Sequence, residues 1–522
     1  MDIYAQQALR EYNSAATAAH PGGVNGRPFW NAHSSQFTFV PSFQFANLPE
    51  GQVYRFTVKD TNEKQHTFEA ANSTASLEPV WKDIPTGHTK LTVEALDESG
   101  NLIGEPAERS FFKCDPFPGR EALPPKARSY RKSSLEAFRF VYEDPMVQYW
   151  LEHGVPQPDY PHNVYPSKTI SALINAMVYY AKLEPSRAEN AINIAKRAAD
   201  YLLSITPKEG EPLAFLPPTY SFKGLDAEAV NKVAPAAREC QETTMMIYPL
   251  SAAMGFLTLE EATGDQKYFE AAMRIANYYK ETVLPCGSWY LLFDCNTGKN
   301  LTENICVDFN FVTFFKQLYK KTGDPVWREL EVNVYHYIAD VCLKTYNWEG
   351  QFEDIKVTNN YQNLTHFTAN AMIHYIADSL SDDKDMVNEA IDLMRFVEDQ
   401  FVVWGKYPDI PVEPDDPQAI RHSPAGLEQY HCYGPIDSST VEIMSAFLDM
   451  YQLTDDRLYL EKAMALGDAV TRMQNPETGM SPTFWIGENC SEGYRNFWIN
   501  CQIHTAFCMQ RLADLTEAME IA

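Results

Sequence analysis

Three short windows in the second half of this 522-residue chain gather side chains that can hold, give or take a proton. In Trp348-Glu349-Gly350-Gln351-Phe352-Glu353-Asp354, the adjacent carboxylates Glu353 and Asp354 stand shortly before Tyr361, Asn363 and His366. In Leu427-Glu428-Gln429-Tyr430-His431-Cys432-Tyr433 a carboxylate, an imidazole and two phenols are crowded just before Asp437, the richest such window in the chain. The third is Arg238-Glu239-Cys240-Gln241-Glu242, predicted to form the charged first turn of a helix. A pair drawn from Glu353 or Asp354 and Glu428 suits general acid and base work, whereas Tyr430 and His431 suit abstraction of a proton from carbon. For Asp437 and Glu242, helix capping or dipole compensation is the stronger reading. His162, His366, His422, His431 and His504 share no close metal spacing, and neither a phosphate-binding glycine loop nor a nucleophile elbow is present, so a site without metal or cofactor is expected. His504, inside the last helix, reads as a core or pocket-wall residue.

A repeat positions these windows. Thr263-Gly264-Asp265, Thr322-Gly323-Asp324, Ser381-Asp382-Asp383 and Thr454-Asp455-Asp456 each end one apolar helical stretch and open another, with Lys182-Leu183-Glu184 as a degenerate first copy. An aliphatic residue follows each block at one fixed offset: Ile194, Ile275, Val334, Leu393 and Leu466. The turn Asp is a natural N-cap. The pattern predicts helical hairpins over 168–182 and 187–204, 241–262 and 266–284, 305–321 and 325–345, 364–380 and 384–402, and 437–453 and 457–473. A helix over 133–152 has no predecessor and one over 499–518 no successor, so pairing the two closes a ring of six, an (α/α)6 toroid.

Residues 27–114 have a different texture. Phe37, Phe39, Phe43 and Phe45, then Val53–Val58 and Leu91–Leu96, show strand patterns, and the segment reads as a small β-sandwich similar in pattern to a fibronectin type III domain. Residues 1–26 are then an amino-terminal extension, 115–132 a proline-rich linker, and 133–522 the toroid. The net charge of −27 is spread along the chain, which disfavours nucleic acid as a partner. No apolar run is long enough for a membrane span, and the first ten residues lack a signal-peptide pattern. The chain as written is expected to be cytoplasmic, or periplasmic or secreted if a leader was removed. The ten cysteines show no C-x-x-C pair, and most are expected to be buried thiols.

A small β-sandwich followed by six hairpins with T-G-D-x-x-Y turns resembles the six-hairpin glycosidase-like superfamily, which includes glycoside hydrolases, unsaturated-uronide hydrolases, uronate lyases and sugar epimerases. The resemblance covers most of residues 130–520 and implies a carbohydrate substrate. Loops from each outer helix to the next inner helix would gather at one mouth, bringing Trp289, Trp348, Trp404 and Trp485 with Tyr220, Tyr361, Tyr430 and Tyr433 to a saccharide pocket. The implied activity is exo-acting glycoside hydrolysis, with Glu353 or Asp354 and Glu428 as the carboxyl pair. Arg238, Arg421 or Arg495 would meet a uronate, and Glu239 and Gln241 belong to the same binding set. The alternatives are a uronate lyase or carbon-5 epimerase working through Tyr430 and His431, with Asn363 and His366 neutralising the uronate carboxylate, and a glycan-binding protein without catalysis.

Overall fold

The computed structural model describes residues 2–21, 30, 33–48, 50–104, 106–357, 362–408, 420–488, 490 and 497–521. Twelve helices form the ring. Inner helices α2 (Pro166–Leu183), α4 (Tyr248–Thr263), α6 (Asn310–Thr322), α8 (Phe367–Ser379), α10 (Asp437–Thr454) and α12 (Ile499–Ile521) alternate with outer helices α1 (Tyr130–Glu143), α3 (Ala188–Ile205), α5 (Gln266–Thr282), α7 (Pro325–Ile338), α9 (Lys384–Phe401) and α11 (Arg457–Met473). In the second hairpin the inner helix α4 is buried on most faces, whereas the outer helix α5 buries one stripe that includes Tyr268, Ala272, Ile275 and Tyr279. Ile194, Ile275, Val334, Leu393 and Leu466 are all buried, so the repeat register holds in three dimensions.

Each part of the Thr-Gly-Asp block has its own task. The hydroxyls of Thr263, Thr322 and Thr454 donate back to the carbonyls of Leu259, Leu318 and Met450, at 2.7, 2.8 and 2.7 Å. They also accept the amides of Asp265, Asp324 and Asp456. Gly264 and Gly323 take φ of 71°, which ends the inner helix in the left-handed conformation. The Asp carboxylates then cap the outer helix, accepting the amides of Lys267, Val326 and Leu458.

The ring closes where expected. Ser134 Oγ of α1 donates to the carbonyl of Ala506 in α12 at 2.8 Å, and Phe138 packs edge-on against Phe507. Between α12 and α2, Phe507 meets Tyr179 at 5.1 Å. Three expected helices are shorter or broken. The 133–152 segment is two helices, because Pro145 supplies no amide donor and Asp144 caps a new helix, Pro145–His153. The inner helix expected from 241 begins at Tyr248, since Thr243–Met245 is instead a strand paired with Leu292–Asp294. The helix expected from 305 begins at Asn310.

The sheet domain has a five-stranded sheet of β1 (Gln36–Phe37), β3 (Val53–Lys59), β4 (Gln65–Ala70), β6 (Gly87–Leu96) and β7 (Ala107–Lys113), in the order β1-β7-β6-β3-β4. A separate pair is made by β2 (Ser42–Gln44) and β5 (Thr74–Ser76). Strand β1 runs parallel to β7. This division of five and two differs from the four and three of an immunoglobulin-type sandwich, and the type III resemblance is not confirmed. Residues ahead of the sheet form a helix, Ile3–Tyr12, held to the ring by Gln7 Nε2 donating to Asp456 at 2.8 Å and by the Tyr12 hydroxyl on Glu398.

Candidate functional site

The first turns of all six inner helices surround one cavity of about 450 Å³, with Lys168, Tyr248, Asn310, Thr368, Ser438 and Asn500 each contributed by a different helix. Helix amino termini turn unpaired amides and the positive ends of their dipoles towards this space, which suits hydroxyl oxygens and developing negative charge. The outer-to-inner loops add Asp308, Glu349 and Glu428, and a little further along their helices α10 and α12 add Glu442 and His504. Phe352 and Phe367 supply apolar wall.

Burial governs the charge states. It pushes Glu349 up to about 7, although Asn304 Nδ2 donates to its carboxyl at 2.9 Å. It pushes Asp308 up to about 6, against the amide of Asn310, which donates at 2.7 Å. Glu428 is also raised by burial, with Lys168 and the Gln429 amide at 3.1 Å opposing. For Glu442, burial raises the carboxyl but His504, with Nε2 at 2.6 Å, outweighs it and the net direction is down. Of these four cavity carboxyls, Glu349, Asp308 and Glu428 are driven up and Glu442 down.

The structure divides the expected residues into groups. Glu428 lines the cavity. Glu353 lies behind the wall with no side-chain exposure, bound by Lys168 Nζ at 2.6 Å and by the Tyr248 hydroxyl. The Tyr220 hydroxyl donates to its main-chain carbonyl at 2.8 Å. Asp354 is pushed up to about 7, first by burial and then by Glu353. Tyr430 turns away from the cavity towards the sheet domain, its hydroxyl donating to Gln400 Oε1 at 2.7 Å and lying 3.2 Å from Ser34 Oγ. Tyr433 likewise donates to the Gln400 carbonyl. His431 is exposed, and its amide donates to Asn363 Oδ1 at 2.9 Å. Asn363 itself pins two loops together, Nδ2 donating to Gln429 Oε1 at 2.8 Å. His366 is fully buried against Asn370.

The tryptophans are core residues, not faces offered to a sugar. Trp289, Trp348, Trp404 and Trp485 are 1, 0, 2 and 1 % exposed, and Trp289 stacks on Phe311 at 4.4 Å. Arg238, Glu239 and Gln241 are exposed and outside the cavity wall, because Arg238 and Glu239 end the short helix Pro235–Glu239 rather than opening α4. Arg421 lies over Tyr407 and donates to the Pro408 carbonyl. Arg495 and Tyr361 lie outside the described residues. Sequence reasoning did not single out Lys168, Asp308, Glu349 or Glu442 as site residues. One signal was available: Glu442 and His504 are both the sixth residue of an inner helix.

No family model matches the sequence, and no curated protein matches it. Solved structures do. A D-mannose isomerase aligns over 74% of this chain and 97% of its own, at 11% identity and a TM-score of 0.51. Cellobiose 2-epimerase from Spirochaeta thermophila aligns over 74% and 98%, at 12% identity and 0.50. A family 76 glycoside hydrolase from a bovine Bacteroides thetaiotaomicron strain aligns over 92% and 98%, at 8% identity and 0.47. At these identities the likeness is one of fold, and the fold is the (α/α)6 toroid.

Proposed function

We propose that this chain is a carbohydrate-active enzyme, an exo-acting glycoside hydrolase whose cavity takes the terminal sugar of a short or branched glycan. The observation that supports it is the pair Glu349 and Glu428, raised carboxyls on two separate loops lining one cavity of about 450 Å³. Such a volume suits a small ligand rather than a long chain laid in a groove. Glu349, which burial pushes up to about 7, is the acid that delivers a proton to the leaving oxygen, and Glu428, where Lys168 opposes the effect of burial, is the carboxylate that activates water. Glu353 acts indirectly by fixing Lys168, which together with His504 supplies the cationic side chains of the wall. A uronate in the cavity would therefore meet Lys168 rather than Arg238 or Arg421.

A sugar epimerase or isomerase is the second reading, favoured by the His504–Glu442 pair in the cavity wall, since an imidazole can move a proton on and off carbon. The deciding experiment incubates the protein with neutral and uronide-bearing oligosaccharides and aryl glycosides. Hydrolysis releases new reducing ends, a lyase yields an unsaturated product absorbing in the ultraviolet, and epimerisation incorporates solvent deuterium at carbon without a new chain end. Deuterium uptake without chain-end release overturns the hydrolase reading.

A further inference from the structure

Glu442 and His504 are presented by neighbouring inner helices, each from the sixth residue of its helix, and both reach the cavity. One turn further along α12 stands Cys508. His504 Nε2 lies 2.6 Å from Glu442 Oε2 and 3.6 Å from Cys508 Sγ, and the three donor atoms are all within 4.8 Å of one another. A carboxylate oxygen, an imidazole nitrogen and a sulfur therefore converge from two helices that pack against each other. A second observation points to the same place. His366 is fully buried, its Nε2 has no hydrogen-bond partner among the described residues, and it lies close enough to Glu442 and His504 to feel their charge. An unsatisfied buried nitrogen is costly unless something polar meets it.

The ligand chemistry selects a metal class. Zinc takes oxygen and nitrogen ligands at about 2.0–2.1 Å and sulfur at about 2.3 Å in a tetrahedron, which separates neighbouring donor atoms by roughly 3.3–3.6 Å. The His504–Cys508 separation already fits, and the His504–Glu442 hydrogen bond must open by roughly half an ångström or somewhat more. Calcium and magnesium take oxygen ligands throughout and are poorly matched by a thiolate and an imidazole. We propose that Glu442, His504 and Cys508 form a zinc-binding centre in the cavity wall, with its fourth position open to the cavity and the His366 imidazole beside it. The centre does not rest on the hydrolase reading, because it is defined by its ligands and not by a substrate.

The test uses the full chain stripped with a chelator and then dialysed against zinc without any sugar present. About one equivalent of zinc per chain is expected, with X-ray absorption showing one sulfur at about 2.3 Å. Cobalt in place of zinc should give a thiolate-to-metal charge-transfer band that vanishes in Cys508→Ser and persists in Cys286→Ser, the exposed cysteine. His366→Ala should lower zinc affinity about ten- to a hundredfold, the usual worth of a second-sphere group, and His504→Ala and Glu442→Gln, which remove ligands, by more than that. Absence of zinc from the folded wild-type chain at micromolar free metal overturns the proposal. So does a sulfur-free absorption spectrum, or a cobalt band that survives Cys508→Ser and is lost in Cys286→Ser. These readouts stand whether or not any glycan is cleaved.

Discussion

The Lys168 ammonium lies 2.6 Å from Glu353 Oε1, and the carboxylate it neutralises has no side-chain exposure, while Lys168 itself remains 23 % exposed at the cavity wall. A buried charge is thereby paired with one that reaches the site. Removing the cation strands the carboxylate. Lys168→Met is expected to cost about 3 kcal/mol or more, the usual penalty for an uncompensated buried charge. Urea unfolding measures it, and Glu353→Gln in the same chain should recover most of the loss. An unchanged midpoint in the single variant would show that the carboxylate finds another partner.

The cavity carboxyls and the phenol–imidazole window make opposite predictions. Glu349→Gln and Glu428→Gln are each expected to lower turnover about a hundredfold or more, the usual worth of a general acid or base, with far-ultraviolet circular dichroism unchanged. Tyr430→Phe and His431→Ala should change it only a few-fold, because their side chains face the sheet domain and solvent. With burial holding Glu349 near 7, turnover should fall as pH rises through about 7 and the donor loses its proton. Glu349→Gln should remove that alkaline limb. Full activity in both carboxyl variants would place the chemistry elsewhere.

Asp437 gives stability a pH dependence. It is fully buried at the start of α10, accepts from Thr505 Oγ1 at 3.0 Å, and is pushed by burial up to about 8. The folded state therefore keeps a proton that the unfolded chain releases near its ordinary pKa of about 3.9. The sign follows: the stability this group contributes is present at low pH and lost as pH rises from about 4 to about 8. Asp437→Asn, which mimics the neutral form, should flatten this slope, so that the variant gains on the wild type across the window. Parallel denaturation curves at pH 5 and 8 for the two proteins would refute the shift.

At the seam between ring and sheet domain, Asp399 accepts four hydrogen bonds: from the amides of Thr38 and Phe39 at 2.7 and 2.8 Å, from Trp30 Nε1 at 2.8 Å and from Gln400 Nε2 at 2.7 Å. Asp399→Ala leaves four buried donors short of a partner, each worth about 1–3 kcal/mol. The expected result is a loss of about 3 kcal/mol or more in stability, with early proteolytic cleavage among residues 30–48. Wild-type protease resistance would mean the domain is held by its apolar contacts alone.

Much of the architecture was legible because it rests on local chemistry repeated along the chain. A threonine that bonds back to its own helix, a glycine that can take positive φ and an aspartate that caps the next helix act within a few residues of one another, so Thr322-Gly323-Asp324 announces its turn without any tertiary partner. Of the failures, one was local and one was not. Asp144-Pro145 stops and restarts a helix, and the strand Thr243–Met245 competes with the start of α4 only because Leu292–Asp294 is there to pair with it.

By itself, then, the sequence determined the ring, its register and the loops in which chemistry could sit, since helix capping and the spacing of apolar residues are properties of the chain. Only the tertiary structure decided which side chains face the cavity. In the strand Ala425–Gln429 successive residues point to opposite sides, so Glu428 enters the cavity while Gln429 bonds to Asn363, and in the turn that follows Tyr430 reaches Gln400. Trp289 and Trp348 are buried because neighbouring helices close over them. Lys168, Glu349, Glu442 and His504 meet across four different hairpins, and no spacing along the chain records which helices become neighbours when the ring closes.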